Sequence, residues 1–318
     1  MTRAIPLLLG AILLAPGLHI DCAQAQLART VVSAASGNDA NDCSRATPCR
    51  TFQVAHDKTL SDGEVTVLDP GGYGGLTITK SISIVNDGVG EASILVSGGA
   101  FGILINAPAG GYVNLRGITV QGIGFGGGVG IGFNSGFALT IENCVIRNHT
   151  GNGMAFFPFG DSHFTVINTL IADNGGRAGV YIQTGGSGNV TAHFERVQFY
   201  NNSHHGLEVN GGSSSGAATI SATVTDSVAA NNLASDNTFG GAFASHTVTA
   251  PTTLSVIRSV INNNGLGFSA SGASTLRVGQ SVVTRNTRTF IGNVQSFGDN
   301  YIRGNDDGDP APSLVATK

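Results

Sequence analysis

The 318-residue chain has no tryptophan, only two methionines and four cysteines, and charge on just 11% of its residues. So little charge beside 47 glycines leaves few residues that favour surface helices and many that interrupt them. That composition argues against a helical protein and suits short strands joined by tight turns. The glycines have no three-residue period, which excludes a collagen-like triple helix. Acidic residues outnumber basic ones, 20 to 16, for a net charge of −4. With no basic stripe, a nucleic-acid partner is not expected.

Long apolar runs are also missing, except near the N-terminus. Arg3, the apolar residues 5–14 and Ala23-Gln24-Ala25 have the order of a secretory signal peptide over residues 1–25. The run is too short to span a membrane, and Asp21 ahead of Cys22 does not suit a lipid-modified cysteine. A secreted chain is expected, extracellular or periplasmic, with no membrane span. In an oxidising compartment Cys43 and Cys49 are close enough to close a small disulfide loop. Cys144 reads as a small buried thiol.

Repetition is what the chain has in abundance. The phrase Ile141-Glu142-Asn143-Cys144-Val145-Ile146-Arg147-Asn148 returns in variants starting at Leu115, Val166, Phe194, Val224, Val256 and Val278. The starts are 26, 25, 28, 30, 32 and 22 residues apart, the period of a solenoid whose coils bury their apolar sides against one another. In the first and sixth places stand apolar residues. The eighth place is polar or small, and the ninth is Asn in the last five copies (Asn174, Asn202, Asn232, Asn264, Asn286). Asn tolerates a left-handed corner, and its amide both donates and accepts, so a hydrogen-bonded ladder along the axis is expected. A glycine and a second apolar pair follow, then a polar loop of variable length. Two or three short strands per coil describe a parallel β-helix.

Columns across the coils can be tested. Arg196, Asp226 and Arg258 share the third place, and Arg116 precedes Glu142 in the second; both sets are expected to form charge ladders on an outer surface. Residues 26–62 do not repeat. There, Phe52, Ala55, His56, Thr59 and Leu60 have the spacing of one helical face, expected to cover the first open coil. The glycine-rich turn at 70–75 lacks the Lys-Ser/Thr of a phosphate loop. The tail 306–318 contains Asp306, Asp307 and Asp309, but lacks the spacing and terminal Glu of a calcium loop, and is expected to be disordered.

Several stretches together resemble a known family: Ser36-Gly37-Asn38-Asp39, Thr47-Pro48-Cys49-Arg50-Thr51-Phe52, Leu68-Asp69-Pro70-Gly71-Gly72-Tyr73 and Ile78-Thr79-Lys80-Ser81-Ile82 near the start. Ser296-Phe297-Gly298-Asp299-Asn300 and Arg303-Gly304-Asn305 extend the likeness to the end. The chain is similar to secreted bacterial right-handed parallel β-helix proteins of the pectate-lyase-like fold group. The resemblance implies an all-β, right-handed parallel β-helix over 63–305, of about nine coils, closed by a short N-terminal capping helix. Enzymes of that group act mostly on acidic polysaccharides. Their calcium-dependent lyases use clustered carboxylates for the metal and an Arg or Lys as base. Their galacturonases carry Asn-x-Asp, Asp-Asp, Gly-His-Gly and Arg-x-Lys motifs. None of these motifs occurs in the coils, and the eight carboxylates between residues 110 and 300 are scattered.

One constellation survives beyond the Asn corner. Aligning Gly179 with Gly206 sets Tyr181 over Glu208 and Arg177 over His204, with His205 adjacent. Arg177, Tyr181, His204, His205 and Glu208 on one face have the chemistry to grip a sugar or to exchange protons. The sequence thus points to a monomeric glycan-binding or surface module with no cofactor. The alternatives are a polysaccharide lyase or hydrolase acting on uronate polymers, with calcium only in the lyase case, and a structural or adhesive protein.

Overall fold

The structure, a computed structural model, describes residues 26–123, 126–212, 218–233, 241–247 and 249–315; the expected signal peptide lies outside these. Three sheets of twelve, ten and nine strands run the length of the molecule, and every strand pair is parallel. Successive turns of the chain add one strand to each sheet in order, which makes a right-handed parallel β-helix. The predicted register holds. Leu115, Ile141, Val166, Phe194, Val224, Val256 and Val278 stack as one column of the twelve-strand sheet. The sixth-place residues, Val120 through Val283, stack in the ten-strand sheet. Both columns are buried. Parallel strands are covered by their neighbours, so each coil's apolar residues leave water only when the next coil forms.

Two left-handed corners, not one, turn each coil. The third place has positive φ at Asn143, Asn168, Arg196, Asp226, Arg258 and Gln280, and the eighth at Asn148, Asp173, Asn201, Asn231, Asn263 and Arg285. The Asn ladder belongs to the ninth place, one residue further on and fully inside. Asn174 Nδ2 donates to Asn202 Oδ1 at 2.9 Å, and the pattern repeats through Asn232, Asn264, Asn286 and Asn305 at 2.9–3.0 Å. Turning and laddering are therefore separate tasks of adjacent residues. The following glycine makes room for the ladder: a Cβ on Gly179 would lie 2.9 Å from the Asn202 amide carbon and 2.8 Å from the Gly206 carbonyl oxygen.

The fourth place is a second internal ladder. The hydroxyls of Ser227, Ser259 and Ser281 accept from Val197, Ser227 and Ser259 N–H groups one coil earlier, at 3.0–3.2 Å. Cys144 sits in this row with its sulfur 3.2 Å from the Glu142 carbonyl oxygen. Burial pushes its thiol up to about 11, so it is a packed, unreactive group. The charge ladders form only in part. Arg258 grips Asp226 through two bonds of 2.8 Å, but Arg196 turns to Asn168 and Glu195 instead. Arg116 lies nearer Asp87 (3.4 Å) than Glu142 (4.0 Å).

The ends depart most from expectation. Residues 26–62 supply a strand, Leu27–Val32, which pairs with Thr59–Val67 and opens the twelve-strand sheet. Its free edge is covered by the Cys43–Cys49 disulfide loop, through bonds from Val31 N to Cys43 O and from Ser33 N to Cys49 O. The helix α1 (Phe52–Lys58) starts where the Asp39 carboxylate accepts the N–H groups of Arg50 and Thr51. Its Gln53 and His56 side chains accept from the N–H groups of Thr77, in the strand Leu76–Ile78 at the edge of the nine-strand sheet, and of Thr79 just after it. An exposed sheet edge is thereby blocked. Phe52, Ala55 and His56 are buried as expected, whereas Leu60 is exposed and, with Thr59, belongs to a strand. The tail is not structureless: Ser313–Leu314 pairs with Val294–Ser296, Asp307 binds Thr289, and Asp309 accepts the last amide of the ladder from Asn305 at 2.8 Å.

Candidate functional site

The outer face of the nine-strand sheet carries the site. In the strands Ala178–Gln183 and His205–Asn210 the residues Val180, Ile182, Leu207 and Val209 point into the core. Alternation then turns Tyr181 and Glu208 outward, and the two stand opposite one another in register. Arg177 and His204 occupy the corners just before these strands. Two further coils bring His246, Leu266 and Ser269, and a third Ile291, to the same face. Together with Gly175, Gly176, Arg177, His204, His205 and Glu208 they line a cleft of about 600 Å³.

Glu208 is wholly buried at the cleft floor, and Arg177, more than half exposed, closes over it. Arg177 Nε donates to Glu208 Oε2 and Nη2 to Oε1, both at 2.6 Å, in a bidentate pair. Asn210 Nδ2 adds a third bond to Oε1 at 3.1 Å. Burial pushes the Glu208 carboxyl up, but the bonds from Arg177, with the neighbouring positive charge, bring it below the ordinary value, so it stays ionised. The guanidinium also lies 5.3 Å from the centre of the Tyr181 ring. Burial, then the Glu208 charge, push the Tyr181 hydroxyl up to about 12; it donates to Gln183 Oε1 at 3.0 Å.

The histidines differ in their bonding. His246 Nδ1 is 2.6 Å from the Ser271 hydroxyl. His205 is 5% exposed, its ring 6.0 Å from that of His246, and its Nδ1 has no hydrogen-bond partner. Burial brings His205 down to about 4, against the opposing pull of Glu208, and lowers His246 for the same first reason. Both imidazoles are neutral at neutral pH. Among the described residues, no group of three or more His, Cys, Asp or Glu side chains is placed to hold a metal ion.

Of the residues chosen from the sequence, Arg177, His204, His205 and Glu208 meet in the cleft. Tyr181 does not line it. It is buried, packed edge-on against Phe157, and serves as the wall on which Arg177 rests. Arg177 and His204 are on adjacent coils as aligned, but the guanidinium turns to Glu208. His246, Leu266, Ser269 and Ile291 were missed. More residues separate Asn232 from the strand Gly241–His246 than separate Asn202 from His205 or Asn264 from Leu266, so the repeat count breaks there. Aligning Phe243 with Leu207, as the register does, would have put His246 in the column of Asn210.

No protein-family model matches the chain, and no curated protein matches it. Among solved structures, the chain is similar to the pectate lyase Pel9A, with a TM-score of 0.60 and 15% identity over 91% of this chain and 77% of that one. A GH136 lacto-N-biosidase from Eubacterium ramulus gives a TM-score of 0.45 and 11% identity, over 87% and 68%. No helix among the described residues is long and apolar enough to cross a membrane. The three all-parallel sheets and the likeness to the pectate lyase agree on one architecture: the chain has a right-handed parallel β-helix fold, similar to that of the pectate lyase.

Proposed function

We propose that the protein is an exported glycan-binding module, and that the cleft around Arg177 and Glu208 is its binding site. The observation that carries this reading is the make-up of the cleft. A fixed ion pair, to which Asn210 also bonds, sits at one side, His205 with its unpartnered Nδ1 lines the cleft, and Leu266 and Ile291 supply apolar surface. Concave sites with a few placed polar groups on an apolar lining are where small ligands bind, and sugars present both hydroxyls and apolar C–H faces. The disulfide fits an oxidising compartment.

Catalysis by two carboxylates has less support. Glycosidases flank the scissile bond with a pair of acids, and among the described residues Glu208 is the only carboxylate lining the cleft. It is also held ionised by Arg177, which ill suits a proton donor. A lyase remains the second reading because a pectate lyase shares the fold.

The test is retention of purified mature protein on a panel of immobilised polysaccharides, beside Arg177→Ala and His205→Ala variants. Binding to at least one glycan that either substitution weakens is expected. No retention across the panel would remove the reading. Release of unsaturated or reducing ends from uronate polymers, with or without calcium, would replace it by the enzymatic one.

A further inference from the structure

The charge arrangement of the cleft narrows its ligand, on the premise that the cleft binds glycan. We propose that it takes a neutral, hydroxyl-rich sugar and selects against uronates. Among the described residues the lining holds one full cation and one full anion, Arg177 and Glu208, and they are bound to each other in a bidentate pair. Arg177 commits Nε and Nη2 to Glu208, so its side-on fork for a carboxylate is already filled by the protein's own. Two charged groups of the last coil are again of opposite sign: Arg288, across from Leu266, and Asp307, bound to Thr289. A uronate entering here would lose hydration without gaining an unpaired cation, which disfavours it.

A hydroxyl meets no such difficulty. His205 lines the cleft, and its Nδ1 is buried and unpartnered. A neutral imidazole nitrogen either donates or accepts according to its tautomer, and a sugar hydroxyl can answer both, whereas a carboxylate can only accept. The Ser269 side chain and the His246 ring line the same side, and Leu266 and Ile291 offer apolar surface to the face of a pyranose. The lining therefore favours hydroxyls and C–H faces over charge.

Matched polymers decide the matter: galactan against polygalacturonate, and mannan against alginate, each titrated at neutral pH into the mature protein by calorimetry. The expected result is binding to at least one neutral polymer, with its uronate counterpart at least tenfold weaker. His205→Phe should weaken the neutral ligand by about tenfold, one hydrogen bond's share, and His205→Asn should restore part of it. Glu208→Gln frees the Arg177 charge and should shift preference toward the uronate by at least tenfold. Thermal unfolding shows whether each variant is folded. Equal or tighter binding of the uronate polymer overturns the inference while leaving glycan binding in place. Absence of binding to both classes overturns both. Unchanged selectivity in a folded Glu208→Gln protein removes the role assigned to the ion pair.

Discussion

Two sets of buried polar side chains run through this molecule, and they are built in opposite ways. In the ladder from Asn174 to Asn305 each rung is the same residue in the same place, and each amide gives to the next and receives from the last. Even the final amide is met, by Asp309. Along the column that runs through Glu208 no two coils contribute the same residue. Tyr181, Glu208, Ala244, Ser269 and Ile291 succeed one another in a single column, and His205 keeps an unmet nitrogen. Uniformity satisfies every group internally and leaves nothing for a ligand. Heterogeneity leaves unequal partners, and that is where binding chemistry can arise.

The comparison can be broken, most forcefully in the ladder. Asn232→Ala removes the acceptor of the Asn202 backbone and side-chain N–H groups and the donor to Phe199 O and Asn264. With several buried groups left unpaired, a loss of about 3 kcal/mol is expected, read as a lower urea midpoint with glycan binding intact in the folded fraction. An equal loss from Asn231→Ala, at the exposed corner beside it, would show that the ladder is not the source.

Acid should act next. His149 heads the ladder in the ninth place, and burial holds it at about 4, as it does His205. Between the free-imidazole value near 6.5 and about 4 the unfolded chain binds more protons than the folded one. Stability is thus full above about 6.5 and is lost as pH falls through that window, on the order of 2–3 kcal/mol per histidine. Chemical denaturation at pH 7 and pH 4.5 measures it, and His149→Asn, which extends the ladder by one rung, should remove part of the slope. An unchanged slope would mean that His149 is not the buried proton acceptor.

In the cleft, Arg177→Met leaves the Glu208 carboxylate buried without its partner. The guanidinium is half exposed, so the cost is set at about 1–2 kcal/mol, below that of a fully buried pair. Arg177→Met with Glu208→Leu should recover most of that stability yet not the glycan binding. Recovery of both would make the pair structural only. The smallest effect is expected on the outer surface, where removing Arg258 and Asp226 together should barely shift the urea midpoint, and less still in high salt.

Legibility in the sequence followed the same division. The phrase at 141–148 and its copies placed the buried columns in register, because stacking imposes one requirement at every coil and so leaves a repeated pattern. That pattern also placed Glu208 beside Tyr181. It did not place Asp309 under Asn305, nor Leu27–Val32 beside Thr59–Val67, since an end of a solenoid is met once and has no period. Nor did it distinguish the eighth place from the ninth: both favour Asn, one for its backbone and the other for its amide.

By itself, then, the sequence determined the period, the inward faces and the ladder, all of them properties that each coil shares with its neighbours. Only the tertiary structure decided which outward groups meet. His246 comes beside His205 from the next coil, Arg177 leaves His204 for Glu208, and Tyr181 becomes a wall. These outcomes depend on where side chains turn after the coils have stacked. No spacing along the chain encodes that choice, because it is made by charge and burial between coils.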